Sequence, residues 1–405
     1  MPRPRFVFVD ALRSLAIALA LAAHAVNDFG IPQHLSGIEF SVLRGLTRAA
    51  APSFIFMFGM MLELVYARRI ADSGFTAVVP KLMWRSLQCY MGYVVTVLAG
   101  WGFGLFDWAH AAHAMLFIFG AHHGNILKFY TVALLVAIPL LALRTRMGLG
   151  PTLAVCFGLW LLSPLLNAIA ALPVGRFGGI LELGAQTIPY SLTFVAAGMW
   201  VGNSLRQPEH LSARFHRHVG LLLLASAGGA ALLMLHSSPS AVLHSYLDYY
   251  EYRQSHHIGY YLLGLLQALG LCLVFFHLVP YRRSLLSPSA AVLTFGRTSL
   301  LSFTLGNVVL NALVGRVVPS AVEGLLLTLG VLGLVLVLAL GMERLLRRLH
   351  THPEFSILLR PALMLQEQIV RPASIVLLDI GRSAQKQLRR GQAPSLSSLW
   401  RRLHE

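Results

Sequence analysis

The sequence predicts an all-α polytopic membrane protein, with about ten transmembrane helices followed by a basic cytoplasmic tail. Three observations predict it. The 405 residues are 56% hydrophobic and only 12% charged, about half the charged share of a soluble domain. Long apolar runs follow one another without alternation, which selects helices over a barrel. Lys and Arg gather in alternate loops, thirteen on one side against six on the other before the tail is counted. That asymmetry directs the richer side and both termini to the cytoplasm. The formal charge of +16 belongs to the same pattern, because basic loop ends meet anionic headgroups. Nucleic acid is not an expected partner. Cys89, Cys156 and Cys272 all fall inside apolar runs and read as small core residues, with neither a disulfide framework nor metal spacing.

Taken in order, the span cores are 6–26, 50–66, 82–104, 126–143, 151–171, 188–204, 218–236, 257–279, 290–314 and 321–343. Residues 1–343 form the membrane domain and 344–405 the tail. Arg3, Arg5 and Ala23-His24-Ala25 look like parts of a cleaved signal peptide. Asp10 and Arg13 interrupt its would-be apolar region, which argues against cleavage. The loops on the Lys-poor side, 27–49, 105–125 and 237–256, are longer and rich in His, Asp and aromatic residues. Loops of that kind commonly carry chemistry. The tail is cut by Pro353, Pro361, Pro372 and Pro394 and carries short apolar strips such as 375–378. It is too polar to span and suits interrupted amphipathic helices on the inner membrane surface.

The first span holds Asp10, Arg13 and His24. Each costs several kcal/mol, roughly, at membrane depth, so their retention marks a functional site. Eleven residues make about three helical turns, so Arg13 and His24 share a face some 16 Å apart, roughly, along the axis. Asp10 and Arg13 are three apart and can touch. The stripe is expected to look into a cavity and not at lipid.

Asp10, Arg13 and His24 stand at the spacing that opens the acyltransferase-3-type transmembrane acyltransferases, and the chain resembles that superfamily. The stretch Thr47-Arg48 through Pro52, Phe56 and Gly59 resembles the family's next helix. Asn125 to Tyr130 with Pro139, and Phe295-Gly296-Arg297-Thr298-Ser299-Leu300, look like the branch that succinylates periplasmic glucans. Ser14 stands where the family usually has Gly, Phe58 where it has Ser, and the late His is replaced by the Gly306-Asn307 neighbourhood. The resemblance implies an O-acyltransferase of the cytoplasmic (inner) membrane. It would take acetyl or succinyl from cytoplasmic acyl-CoA and deliver it to a hydroxyl of an extracytoplasmic glycan or glycolipid.

Under that reading His24 is the general base, since imidazole changes charge near neutral pH. The bland alternative is a core histidine bonded to a backbone carbonyl. Arg13 would hold the thioester or the pantetheine arm through its fixed fork, and Asp10 would orient it; the alternative is a structural ion pair between the two. Arg68, Arg69, Lys81 and Arg85 form a basic inner rim, suited to the phosphates of coenzyme A or owed to charge sidedness alone. Arg44 and Arg48 either receive an acidic or sugar acceptor or pair with Asp28 and Glu39. Glu63 either sits at the depth of Asp10 and Arg13 or, as the favoured reading, snorkels toward Arg68 or Arg69. His110, His113, His122, His123, His256 and His257 cluster in the Lys-poor loops, but without a metal-binding spacing, and no metal is expected. The rivals are a transporter or flippase using the polar stripe and a scaffold of a glycan-export complex. A transporter would more often show paired halves, and no internal repeat is seen.

Overall fold

The computed structural model describes residues 6–170, 187–206, 211–247, 251–281, 290–351 and 364–389. Arg3, Arg5, Arg176, Arg282, Arg283 and the tail segments 352–363 and 390–405 lie outside the described residues. Among those described, the chain is helical and contains no strand.

The main helices are α1 (Val7–Asp28), α2 (Gly37–Arg48), α3 (Ala50–Met61), α4 (Val79–Gly102), α5 (Asn125–Met147), α6 (Leu149–Ala170), α7 (Ile188–Ser204), α8 (Leu211–Ser237), α9 (Ile258–Tyr281), α10 (Ser299–Asn311), α11 (Ala321–Thr351) and α12 (Arg371–Arg389). Each of the ten expected spans falls on a helix. Among the described residues, six helical stretches are both long and apolar enough to cross a membrane: 7–28, 37–73, 125–147, 213–237, 258–279 and 321–348. The others fall short for visible reasons. α4 carries Arg85, Gln88, Tyr90, Tyr93 and Thr96. α7 and α10 have 17 and 13 residues, and 149–165 is likewise a shorter apolar helix. The last apolar helix does not stop at 343 but runs on to Thr351.

α1 lies at the centre. It packs on α3, α9, α10, α11 and the short helix Thr294–Arg297, burying Leu12, Ile17 and Leu21 completely. α3 divides two cores. Phe56, Met57 and Met60 join α1, α7 and α9, whereas Phe58 and Leu62 join α5 and the start of α4. The α3–α7 crossing is close because Gly59 meets the Val195 carbonyl and Gly198 meets the Phe56 carbonyl; a Cβ at either position would overlap backbone. α3 continues into a π-helical turn, Leu62–Ala67, a rare distortion that is frequent at functional sites. In the tail, Val370 and Ser374 are buried and Leu378 packs on the second core, where α12 touches α4.

The chain reverses direction at each span, so two ends can be told apart. One carries Asp28, the loop 103–124 and the helices Pro239–Leu247 and Glu251–Gln254. The other carries Asp10, Glu63, Arg144 and Arg206.

Candidate functional site

At the Asp28 end a cavity of about 670 Å³ opens between α1, α2, α3, α5, α7 and α9. The last turns of α1 present half-buried His24 and exposed Asn27 to it. From α2 come Arg44 and Arg48, from α5 Lys128 and Tyr130, and from the 251–261 region Arg253, His256, Tyr260 and Tyr261. The two α2 arginines are one turn apart, which puts both guanidinium groups on the cavity side.

Their bonds are specific. Arg44 is buried and donates through Nη1 to Asn27 Oδ1 at 2.7 Å. Arg48 Nη2 donates to the Leu247 carbonyl at 3.2 Å. Of the two acids offered as their partners, Glu39 is exposed and Asp28 is held instead by His122 at 3.1 Å and His123 at 2.9 Å. Lys128 Nζ donates to the Phe117 carbonyl at 3.3 Å and sits over the Phe117 ring. Tyr130 donates to the Phe54 carbonyl at 2.9 Å. His256 stacks on Tyr190 with ring centres 3.6 Å apart. Burial, and then the charge of Arg253, push its pKa down to about 4, so it faces the cavity as a neutral ring.

His24 has a histidine neighbour. Its ring centre is 4.7 Å from that of His123, which is 4.5 Å from that of His122. The Asp28 bond to His122 pushes that imidazole above its ordinary pKa. Composition showed a histidine-rich loop, but only the fold joins it to α1.

The other end is built differently. Arg13 Nη1 is 3.8 Å from Asp10 Oδ1 and donates to the Gly296 carbonyl at 3.3 Å. The Gly296 N–H donates to Ser14 Oγ at 2.7 Å, and a Cβ on Gly296 would overlap the Asp10 carbonyl. So the Asp-x-x-Arg-Ser stretch of α1 and the Phe295-Gly296-Arg297 stretch, both singled out in the sequence, dock on each other. Ser14 is the acceptor that seats the close approach. Arg297 pairs in turn with Glu343 at 3.1 Å.

Asp10 and Arg13 therefore do meet, as their spacing allows. Arg13 does not line the 670 Å³ cavity, whereas His24 does. Lys81 and Arg85 are exposed and Arg68 and Arg69 half-buried; Arg85 donates to Gln88 at 3.0 Å. Glu63 corrects the sequence reading. It is completely buried and does not snorkel toward Arg68 or Arg69. Arg144 Nε is 2.6 Å from its Oε1 and Arg206 Nη1 is 3.2 Å from its Oε2, with Asn203 also bonded to Arg144. The cause is charge: a carboxylate facing the bundle interior is retained only when paired, and α5 and the turn after α7 deliver two guanidinium groups there.

Lys128, Tyr130, Arg253 and Tyr190 belong to the cavity without having been singled out as ligands. Their signal was weak because a lone cation or tyrosine at a helix end carries no spacing of its own, and only the fold gathers these four around one space. Residues 5–237 match the family model described as heparan-alpha-glucosaminide N-acetyltransferase, catalytic. The match takes in Asp10, Arg13, His24, Arg44, Arg48, Glu63 and Lys128 and ends before Arg253 and His256. No curated protein matches the chain.

Proposed function

The chain belongs to the heparan-alpha-glucosaminide N-acetyltransferase catalytic family, a family of transmembrane acetyltransferases, and from that premise we propose that it transfers an acetyl group from cytoplasmic acyl-CoA to an extracytoplasmic glycan or glycolipid. The observation that carries this reading is His24, set in a polar cavity beside Arg44, Arg48 and Lys128. The Asp28 end faces away from the cytoplasm and the Glu63 end toward it, with both termini inside the inner membrane's cytoplasmic face. The Lys and Arg asymmetry supports that orientation. A reporter fused after Glu405 should be active only as a cytoplasmic fusion.

In this mechanism the acceptor enters the cavity, and His24 takes a proton from the attacking nucleophile as it adds to the thioester carbonyl. The tetrahedral intermediate carries negative charge on oxygen, and the cationic side chains of the cavity stabilise it. Its collapse breaks the carbon–sulfur bond. The proton held by His24 then passes to the departing thiolate, leaving coenzyme A and the acylated acceptor. The nucleotide end of the donor cannot enter hydrocarbon without a large desolvation cost. It stays at the Arg68, Arg69, Lys81 and Arg85 rim while the pantetheine arm runs inward past Arg13. Asp10 and the Gly296 carbonyl fix the Arg13 guanidinium along that route.

The family's description names an amine acceptor, and the likeness of 125–139 and 295–300 to the glucan-succinylating branch favours a hydroxyl acceptor and admits succinyl as the group moved. One experiment separates them. Purified protein in lipid nanodiscs is given acetyl-CoA or succinyl-CoA with glycans bearing free amines or hydroxyls only. Free thiol release and the mass of the glycan are followed. Acceptor-dependent thiol release with matching acylation is expected. No acceptor-dependent release with either donor would replace this reading by the transporter or scaffold.

A further inference from the structure

The cluster at the end of α1 is not used by the acyl transfer described above. Asp28, His122 and His123 bring one ligand atom each to within 4.8 Å of one another. His122 Nε2 lies 3.1 Å from Asp28 Oδ1, and His123 Nε2 lies 2.9 Å from Asp28 Oδ2. Zn–N and Zn–O bonds of about 2.0–2.1 Å in a tetrahedron separate neighbouring ligand atoms by about 3.3 Å. The His–carboxylate contacts, 3.1 Å to Oδ1 and 2.9 Å to Oδ2, are somewhat shorter than that length, and all three ligand atoms lie within 4.8 Å of one another, so a small shift of the side chains would seat one ion.

A second observation points the same way. His123 is 1% exposed, and neither of its ring nitrogens makes a directed hydrogen bond; nor does Asp28 Oδ2. Polar atoms buried without a directed hydrogen bond are costly, even though His123 and Asp28 lie close together. A hydrogen bond needs the donor aimed along the line to the acceptor. Ligands of one metal are aimed instead at the point between them, so their atoms come close without facing each other. That is the relation seen between His123 and Asp28.

The loop is built to hold this geometry. Gly124 has φ +98, and a side chain there would crowd Tyr93 and Thr96; the left-handed turn lets His123 point inward while Asn125 starts α5. His110 bonds the Gly120 carbonyl at 3.0 Å and Lys128 the Phe117 carbonyl, fixing the chain that leads into the His122-His123 pair. We propose that Asp28, His122 and His123 form a divalent transition-metal site, suited to zinc, that clamps the end of α1 to the 116–124 loop beside His24. Two imidazoles and one carboxylate are a borderline donor set that suits zinc better than magnesium or calcium. Three protein ligands leave a fourth position, and His122, with 45% of its side chain exposed, gives solvent access to it. The proposal stands whether or not the acyl-transfer reading holds.

The test is metal content and zinc binding on the full chain, purified through a tag without histidines. After growth with zinc, elemental analysis of the wild type should give one zinc per chain, and calorimetric titration of chelator-treated protein should restore it. His123→Ala and Asp28→Ala should lose the stoichiometric zinc. His122→Gln, at an exposed position that leaves the core intact, should weaken zinc binding at least tenfold and serves if the other two fail to fold. Cobalt substitution should give tetrahedral absorption bands in the wild type that His122→Gln removes. A wild type that neither contains nor binds zinc would overturn the site. So would zinc binding unchanged in His122→Gln and in whichever other variants fold.

Discussion

At the Glu63 end of the bundle a buried carboxylate is shared by two guanidinium groups, and Arg297 is matched by Glu343. At the Asp28 end, buried Arg44 is held by a neutral amide oxygen and Arg48 by a backbone carbonyl, and both border a cavity. The same residue type is used in two ways. Arg144 and Arg206 have their charge cancelled, so they fasten α3 to α5 and to the end of α7. Arg44 keeps its charge, so it presents a positive field to whatever enters. An ionisable residue in an apolar chain is thus a fastener where its charge is met inside the fold, and a candidate ligand where only its hydrogen bonds are.

His24 carries the largest expected effect. If the Asp28 end is the reacting end, His24→Ala should lower acyl transfer by about 10²- to 10⁴-fold, the usual contribution of a general base, with the thermal midpoint in detergent nearly unchanged. A large drop in the midpoint with transfer preserved would make His24 a packing residue and the cavity incidental.

Glu63→Ala should do the reverse. It leaves the Arg144 and Arg206 charges facing the interior, and breaking a buried pair in this way costs about 3–5 kcal/mol. Partial exposure of the two arginines puts the result at the lower end. The thermal midpoint should fall by several degrees, and Glu63→Gln should recover part of the loss. If the midpoint holds and donor turnover collapses instead, the Glu63 end is part of the chemistry and the contrast between the ends fails.

In the proposed reaction the rim at the Glu63 end faces the donor. Lys81→Gln with Arg85→Gln removes two exposed charges. Exposed charge pairs contribute up to about 1 kcal/mol each, so acetyl-CoA should bind up to about 30-fold more weakly at low salt. The loss should shrink as salt rises. Equal affinity for wild type and variant at low salt would reduce these side chains to markers of sidedness.

How far the sequence could reach follows from the same contrast. Periodicity placed His24 on the face of Arg13 because both sit on one helix, where spacing is geometry. The Asp10–Arg13 contact was legible for the same reason. Glu63 was not, because its partners are 81 and 143 residues away, and nothing local distinguishes a snorkelling acid from one that distant helices will meet. Asp28 and His123 are 95 positions apart by their numbers, and a loop must fold back for them to touch. The span count suffered from a different limit. α4 has the length of a span but an aromatic and hydroxyl-rich composition, and α10 is cut from Thr294–Arg297 at Thr298, so hydropathy alone blurs both.

The smallest effect concerns His256, which tests whether the cavity wall is as dry as its packing says. His256 stacks on Tyr190, and Arg253 is the charged group that weighs on it most. Burial and that charge lower its pKa from 6.5 to about 4. Between those values the unfolded chain binds the proton more readily than the folded one, so stability is present in full above the unfolded pKa and is lost as pH falls through the window. His256→Asn removes this titration, and asparagine tolerates the left-handed backbone at φ 52 better than most residues. The wild type should therefore lose more thermal stability than the variant between pH 7 and pH 5. Parallel losses in the two proteins would mean that His256 is as well hydrated in the fold as out of it, and that the cavity wall beside Tyr190 is open to water.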